Sequence, residues 1–248
     1  MTVQIEESGR VAILTMSGSS GNAVNPEMCI ALRDAIAEAV GRGSKAIVLT
    51  GSGKAFSVGG DLSLFSEWSD WPEEERQRFI EEGPQAVSRM LVGCPIPTVA
   101  ALNGAAAGAG MDLALVFDVR IGSPRTKFVT AYTAVGVTPG DGGAWLLPRF
   151  IGFGRALELL ATSRPIGAEE ALSIGLVSQI TTEDALLDRS VEVAEGLIGR
   201  PISELRSLML AGMTQTFDVH LQAASKLIAE VAGRDLHRTR VRELTTRS

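Results

Sequence analysis

Two cysteines, two histidines and one tyrosine in 248 residues leave several kinds of chemistry without their usual groups. Cys29 and Cys94 are too few for a disulfide framework or a cysteine-based zinc site. His220 and His237 fall in the last stretch of the chain, far from every glycine-rich block, so a Ser-His-Asp triad has no obvious base. No H-x-x-x-H spacing marks a metal site. No segment approaches the ~20 uninterrupted apolar residues that a membrane span requires. The opening residues MTVQIEESGRVAILTMSG lack the basic segment and long apolar run of a secretory leader, so a cytoplasmic protein is expected. Positive charge is also short. A net charge of −6 argues against nucleic acid as a partner, because that binding draws on neutralised phosphates. The tail GRDLHRTRVRELTTRS is the local exception, with Arg234, Arg238, Arg240, Arg242 and Arg247 against Asp235 and Glu243. It reads either as a solvated helix face or as a patch for a phosphorylated ligand.

What is present suits a folded chain: 45% hydrophobic residues against 21% charged, at a length that buries a substantial core. VQIEESGRVAILTMSG reads as two strands joined near Gly9. NPEMCIALRDAIAEAV follows as a helix with Asn25 as N-cap and Pro26 at its first position, and its Leu32, Ile36 and Val40 recur at i+4 toward a core. KAIVLTG is a short apolar strand ending at Gly51. A helical pattern runs through Ala86, Met90 and Leu91, and TVAALNG reads as a buried strand feeding a glycine-rich stretch. MDLALVFD is then helical, and VRIGS and KFVT are strands, so the unit repeats. GRALELLATSRPIGAEEALSIGLVSQI predicts two helices divided at Pro165 and Gly167, then a strand. From about residue 185 the pattern is helical, which marks an appended α-helical region. The expected fold is α/β, with residues 1–190 as the core and 191–248 as a C-terminal helical region.

The glycine-rich stretch GAAAGAGMD, residues 104–112, follows a strand and opens a helix, the setting in which backbone N–H groups meet an anion. Nucleotide signatures fail there. Met111-Asp112 stands where a P-loop needs Lys-Ser/Thr, and Leu113 where a dinucleotide fingerprint needs its third glycine. A carboxylate just beyond such donors would repel a phosphate. It suits a carbonyl that becomes an oxyanion while a proton moves nearby, or it stabilises its own helix start. A second glycine-rich bend after a strand, GSGKAFSVGGDLSLF at 51–65, bears on that choice.

Here the sequence resembles the enoyl-CoA hydratase/isomerase, or crotonase, superfamily. The matching blocks are NAVN (22–25), KAFSVGGDL (54–62), PTVAALNGAAAGAGMDLALVFDVRIGS (97–123), VGVTPGDGGAWLLPRFIG (135–152) and ALELLATSRPIGAEEALSIGLVSQI (156–180). They keep the family's order over most of the chain. The resemblance implies a crotonase-like core of repeated ββα units, a C-terminal region that serves oligomerisation, and assembly as a homotrimer or homohexamer. It implies an acyl-CoA thioester substrate, with coenzyme A as part of the substrate and no separate cofactor. Two backbone N–H groups, those of Gly60 and Ala109, would hold the thioester oxygen. Ala23, Val24, Lys54, Ser57, Asp61 and Leu62 match the segments that bind coenzyme A.

The sequence departs from the family where hydratases carry two glutamates: those positions hold Asp112 and Tyr132. Asp112 is the first-choice proton-transfer group, with Tyr132 and Asp141 as its candidate partners. Asp141, ahead of Gly-Gly and an apolar run, also reads as a helix N-cap. Relatives such as the dienoyl-CoA isomerases and 4-chlorobenzoyl-CoA dehalogenase carry catalytic aspartates at or next to it. The expected reaction is hydration or double-bond isomerisation of an unsaturated acyl-CoA. The alternatives are a hydrolase or dehalogenase acting through Asp141, and a coenzyme-A-binding protein without catalysis. Trp68 and Trp71 either line the acyl pocket or pack in the core.

Overall fold

The computed structural model describes residues 1–18 and 20–246, so Arg247 lies outside the described residues. The chain divides into two compact units, Met1–Gly196 and Leu197–Ser248.

The first unit opens with an antiparallel hairpin of β1 (Thr2–Ser8) and β2 (Val11–Ser17). α1 (Pro26–Gly41) then starts as its sequence predicts, Met28 N–H donating to Asn25 Oδ1 at 2.9 Å. Its inward face carries Met28, Cys29, Leu32, Ala35, Ile36 and Ala39. β3 (Ala46–Gly51) and β4 (Ala55–Ser57) precede three helices, α2 (Leu62–Trp68), α3 (Glu73–Glu82) and α4 (Pro84–Val92). β5 (Thr98–Leu102), β6 (Ala105–Ala107) and α5 (Ala109–Leu115) come next, then β7 (Val119–Gly122) and β8 (Lys127–Val129). α6 (Gly143–Ile151), α7 (Phe153–Thr162), β9 (Ile166–Gly167), α8 (Ala168–Ser173), β10 (Gln179–Ile180) and α9 (Leu186–Leu197) complete the sequence of elements up to the second unit.

Each repeat places one strand in each of two sheets. The larger sheet has the order β1-β2-β3-β5-β7-β10 and is parallel except for β1; the smaller has the order β4-β6-β8-β9. β5 is buried along its whole length, as is usual for a parallel strand covered on both faces. The alanine-rich Ala105–Ala107, which sequence patterning left within the glycine-rich stretch, is a strand of the smaller sheet. Just ahead of it, a Cβ on Gly104 would overlap the Lys54 carbonyl oxygen.

Buried Arg120 on β7 holds the far end of α5: its Nη1 donates to the carbonyls of Phe117 at 2.8 Å and Leu115 at 3.4 Å, and its Nε to Leu176 O at 2.7 Å. Cationic donors favour a helix C-terminus, and here they anchor the helix whose other end carries the glycine-rich turn.

The second unit contains α10 (Ile202–Gly212), α11 (Phe217–Ala232) and α12 (Asp235–Thr245). Arg234 pairs with Glu204 and Glu230, and Arg238 with Asp235, so these two arginines of the tail are engaged in ion pairs on a solvated surface. Among the described residues no helix is long and apolar enough to cross a membrane.

Candidate active site

The bend after β4 is held in place by the segment ahead of α1. Asn22 is fully buried, at φ +62°, a conformation that asparagine tolerates better than most residues. Its Nδ2 donates to the carbonyls of Ser52, Ala55 and Phe56, and its Oδ1 accepts from Gly18 N–H. Val24 N–H then donates to Gly59 O at 2.7 Å, a single parallel bridge that sets the level of Gly60. Asn22 is therefore a positioning residue that the matched block contains but that sequence reasoning passed over.

Gly59 has φ +91°, and a Cβ there would stand 2.5 Å from Ala107 O and 3.4 Å from Ala109 N. Gly110 packs as tightly on Ser57, where a Cβ would meet the serine Cβ at 2.6 Å. The two glycine-rich bends thus touch through backbone, and no side chain could stand between them. Gly60 and Ala109 line one cavity of about 630 Å³, and neither N–H is taken by another group among the described residues. Val58, Leu62, Phe65, Trp68 and Ile80 form its apolar wall. Phe65 and Trp68 rings lie 5.2 Å apart, while Trp71 stands back from the cavity against Phe79 at 5.8 Å. The opposite wall is the loop from Ala131 to Asp141. Ala131 has φ +54°, a strained value for alanine, at the turn that brings Tyr132 inward.

Asp112 lies in the first turn of α5, as its sequence context suggests. Asp141 does not cap α6. Gly142 occupies the N-cap position, and the Gly143 N–H donates instead to Asp112 Oδ2 at 2.9 Å. A Cβ on Gly143 would overlap the Asp112 carboxyl, so the glycine is what lets the two helices meet there. Asp112, 2% exposed, is not in the cavity wall; Asp141 and Tyr132 are. Burial lifts the Asp112 carboxyl to a pKa of about 6 in spite of the Gly143 hydrogen bond. Burial, and after it the Asp112 charge, pushes Asp141 to about 7. Asp141 Oδ1 has no hydrogen-bond partner. The Tyr132 hydroxyl also lacks a bond of ordinary geometry, and burial together with both carboxylates holds its pKa well above the usual phenol value. It stays protonated at neutral pH.

The residues matched to coenzyme A binding are scattered in environment. Leu62 is 67% exposed at the cavity, Lys54 is exposed, and Asp61 caps α2 by accepting from Ser63 N–H at 3.0 Å. Ala23 and Val24 are buried, and Ser57 Oγ donates to Asn22 O at 2.7 Å. The side chains of Ala23, Val24 and Ser57 therefore hold the bend together, which leaves Lys54, Asp61 and Leu62 with side chains toward solvent.

A chain of repeated ββα units with two glycine-rich bends meeting at one apolar cavity is the architecture of a family. Residues 6–245 match the enoyl-CoA hydratase/isomerase family model, and the chain belongs to that family of enzymes. It is 34% identical over 237 residues to a protein of Rhodobacter capsulatus named a probable enoyl-CoA hydratase, covering 93% of this chain and 89% of that one. It is 32% identical over 180 residues to the 1,2-epoxyphenylacetyl-CoA isomerase of Escherichia coli, covering 71% and 69%. Among solved structures, the enoyl-CoA hydratase of Bacillus anthracis superposes with a TM-score of 0.89 at 26% identity, covering 100% of this chain and 97% of that one.

Proposed function

We propose that the protein moves a double bond along an unsaturated acyl-CoA, with Asp141 carrying the proton. One observation supports this above the others: Asp141 is the carboxyl group of the cavity that Gly60 and Ala109 line, and it has an unpartnered oxygen. In a 3-enoyl thioester, the Asp141 carboxylate takes a proton from the α carbon. The electron pair of that C–H bond passes into the thioester, whose oxygen becomes negative and accepts hydrogen bonds from the Gly60 and Ala109 N–H groups. Each such donor is typically worth about 2.7–4 kcal/mol of barrier. Asp141 then returns the proton to the γ carbon, giving the 2-enoyl thioester. One base suffices for both transfers, and a pKa near the working pH suits it to take and release a proton.

Hydration requires a water oriented by acid and base together, and Asp112, bonded to Gly143, stands outside the cavity wall. Asp112 then acts through its neighbour by raising the pKa of Asp141, and Tyr132 serves as a protonated donor between the two. Coenzyme A would enter past Leu62, Asp61 and Lys54. Exposed Met209, Phe217, Ile228 and Leu244 in the C-terminal unit favour assembly of several copies, as a homotrimer or homohexamer.

The test is turnover of 3-enoyl-, 2-enoyl- and dienoyl-CoA by wild type, Asp141→Asn and Asp112→Asn. A loss of 3-enoyl isomerisation by at least 10³-fold in Asp141→Asn, with a smaller loss in Asp112→Asn, is expected. Comparable turnover by wild type and Asp141→Asn overturns the assignment, and an acyl group trapped covalently on Asp141 moves it to hydrolysis.

A further inference from the structure

Asp141 has a second side. Besides the acyl cavity it lines a void of about 10 Å³ shared with Cys29, Ser88, Val87 and Leu113, in the gap between α1 and α4. That is about the volume that admits one water. Beyond the void lies a third cavity of about 280 Å³, whose wall includes Asn25, Arg33 and Glu82, both of the charged residues being exposed. Val24, Cys29 and Pro84 line both spaces, which therefore adjoin.

The groups around the void are suited to a water. Asp141 Oδ1 is buried with no hydrogen-bond partner, a condition that water commonly relieves. Ser88 Oγ donates to the Asp141 carbonyl at 2.9 Å, which leaves its lone pairs free to accept. Burial, with the Asp141 charge next, pushes the Cys29 thiol up to about 12, so it keeps its S–H as a weak donor. Three polar partners are the usual complement of a buried water.

We propose that this void holds one water bonded to Asp141 Oδ1, and that through it the carboxyl exchanges its proton with solvent on the α1–α4 side, away from the acyl cavity, with Cys29 as the positioning residue that sets the room. The proposal rests on Asp141 being the proton carrier. The exchange is balanced: the carboxyl O–H gives its proton to the water while the water returns one of its own, and no bond to carbon is involved. Such a rear path lets the carboxyl equilibrate while substrate seals the front.

The experiment is isomerisation of a 3-enoyl-CoA in D2O, reading deuterium at the γ carbon per turnover. Wild type is expected to incorporate solvent deuterium, and Cys29→Val, which fills the void, to incorporate at least threefold less. Cys29→Ser, which keeps both space and donor, should retain the wild-type value. Equal incorporation in wild type and Cys29→Val overturns the proposal. A crystal structure of the wild-type protein is the second measurement and depends on no variant: an ordered water within about 3.2 Å of Asp141 Oδ1 supports the site, and a dry void overturns it. Failure of the proton-carrier reading shows separately, as Asp141→Asn turning over like wild type.

Discussion

Two carboxyl groups share one buried region; burial makes each harder to ionise, and the Asp112 charge adds to that effect at Asp141. Asp141, at about 7, should govern the acid limb of kcat/KM, with activity falling about tenfold per pH unit below it. Part of that elevation comes from the Asp112 charge. Asp112→Asn keeps an oxygen for the Gly143 N–H while removing the charge, so the limb should move to lower pH; a pH-rate profile unchanged in the variant would show that the two acids are not coupled. Stability has its own pH dependence. An ordinary aspartate loses its proton near ~4, whereas folded Asp141 keeps it up to about 7, so between those values the native state binds more protons. Stability therefore declines as pH rises from ~4 to ~7, by up to about 4 kcal/mol from this group. Asp141→Asn removes the penalty, and thermal melts should find the variant more stable than wild type at pH 8, with the difference shrinking toward pH 4.

At the scale of elements, the site depends on how closely two bends can approach. β4 and β6 are three residues each, and each leads into a glycine-containing turn in which backbone packs on backbone. Gly59→Ala meets two obstacles, a φ of +91° and an Ala107 oxygen 2.5 Å from the new Cβ. A loss of roughly 2–4 kcal/mol in denaturant unfolding is expected, with a fall in kcat larger than the change in KM for the variant that still folds. The sequence showed the glycines and the order of strands and helices around them. It did not show β6 as a strand, because three alanines carry no alternation of apolar and polar residues, and their strand character arises only from pairing with β4 and β8.

On the scale of the whole molecule, apolar side chains remain uncovered on the C-terminal unit, with Phe217 74% and Ile228 70% exposed. Exposed apolar residues of this size on one short unit favour burial against another copy. Light scattering should give a mass three or six times that of the 26.1 kDa chain, and Phe217→Asp with Ile228→Asp should shift it toward the monomer. A monomeric mass for the wild-type protein would end that reading.

The sequence by itself was enough for the family, through its matched blocks, and for the glycine-rich bends that follow strands, because close backbone approach demands small residues such as Gly59 and Gly110 at fixed places in the chain. Which acid lines the cavity beside Gly60 and Ala109 follows only from the tertiary structure. Asp112 and Asp141 each stand next to a helix start, and either could have been the cap. Where α6 docks against α5, Gly143, having no side chain, brings its N–H within 2.9 Å of Asp112, and Asp141 is the acid that stands in the cavity wall. Sequence separation carries no information about that contact, since it depends on how two helices from different repeats pack.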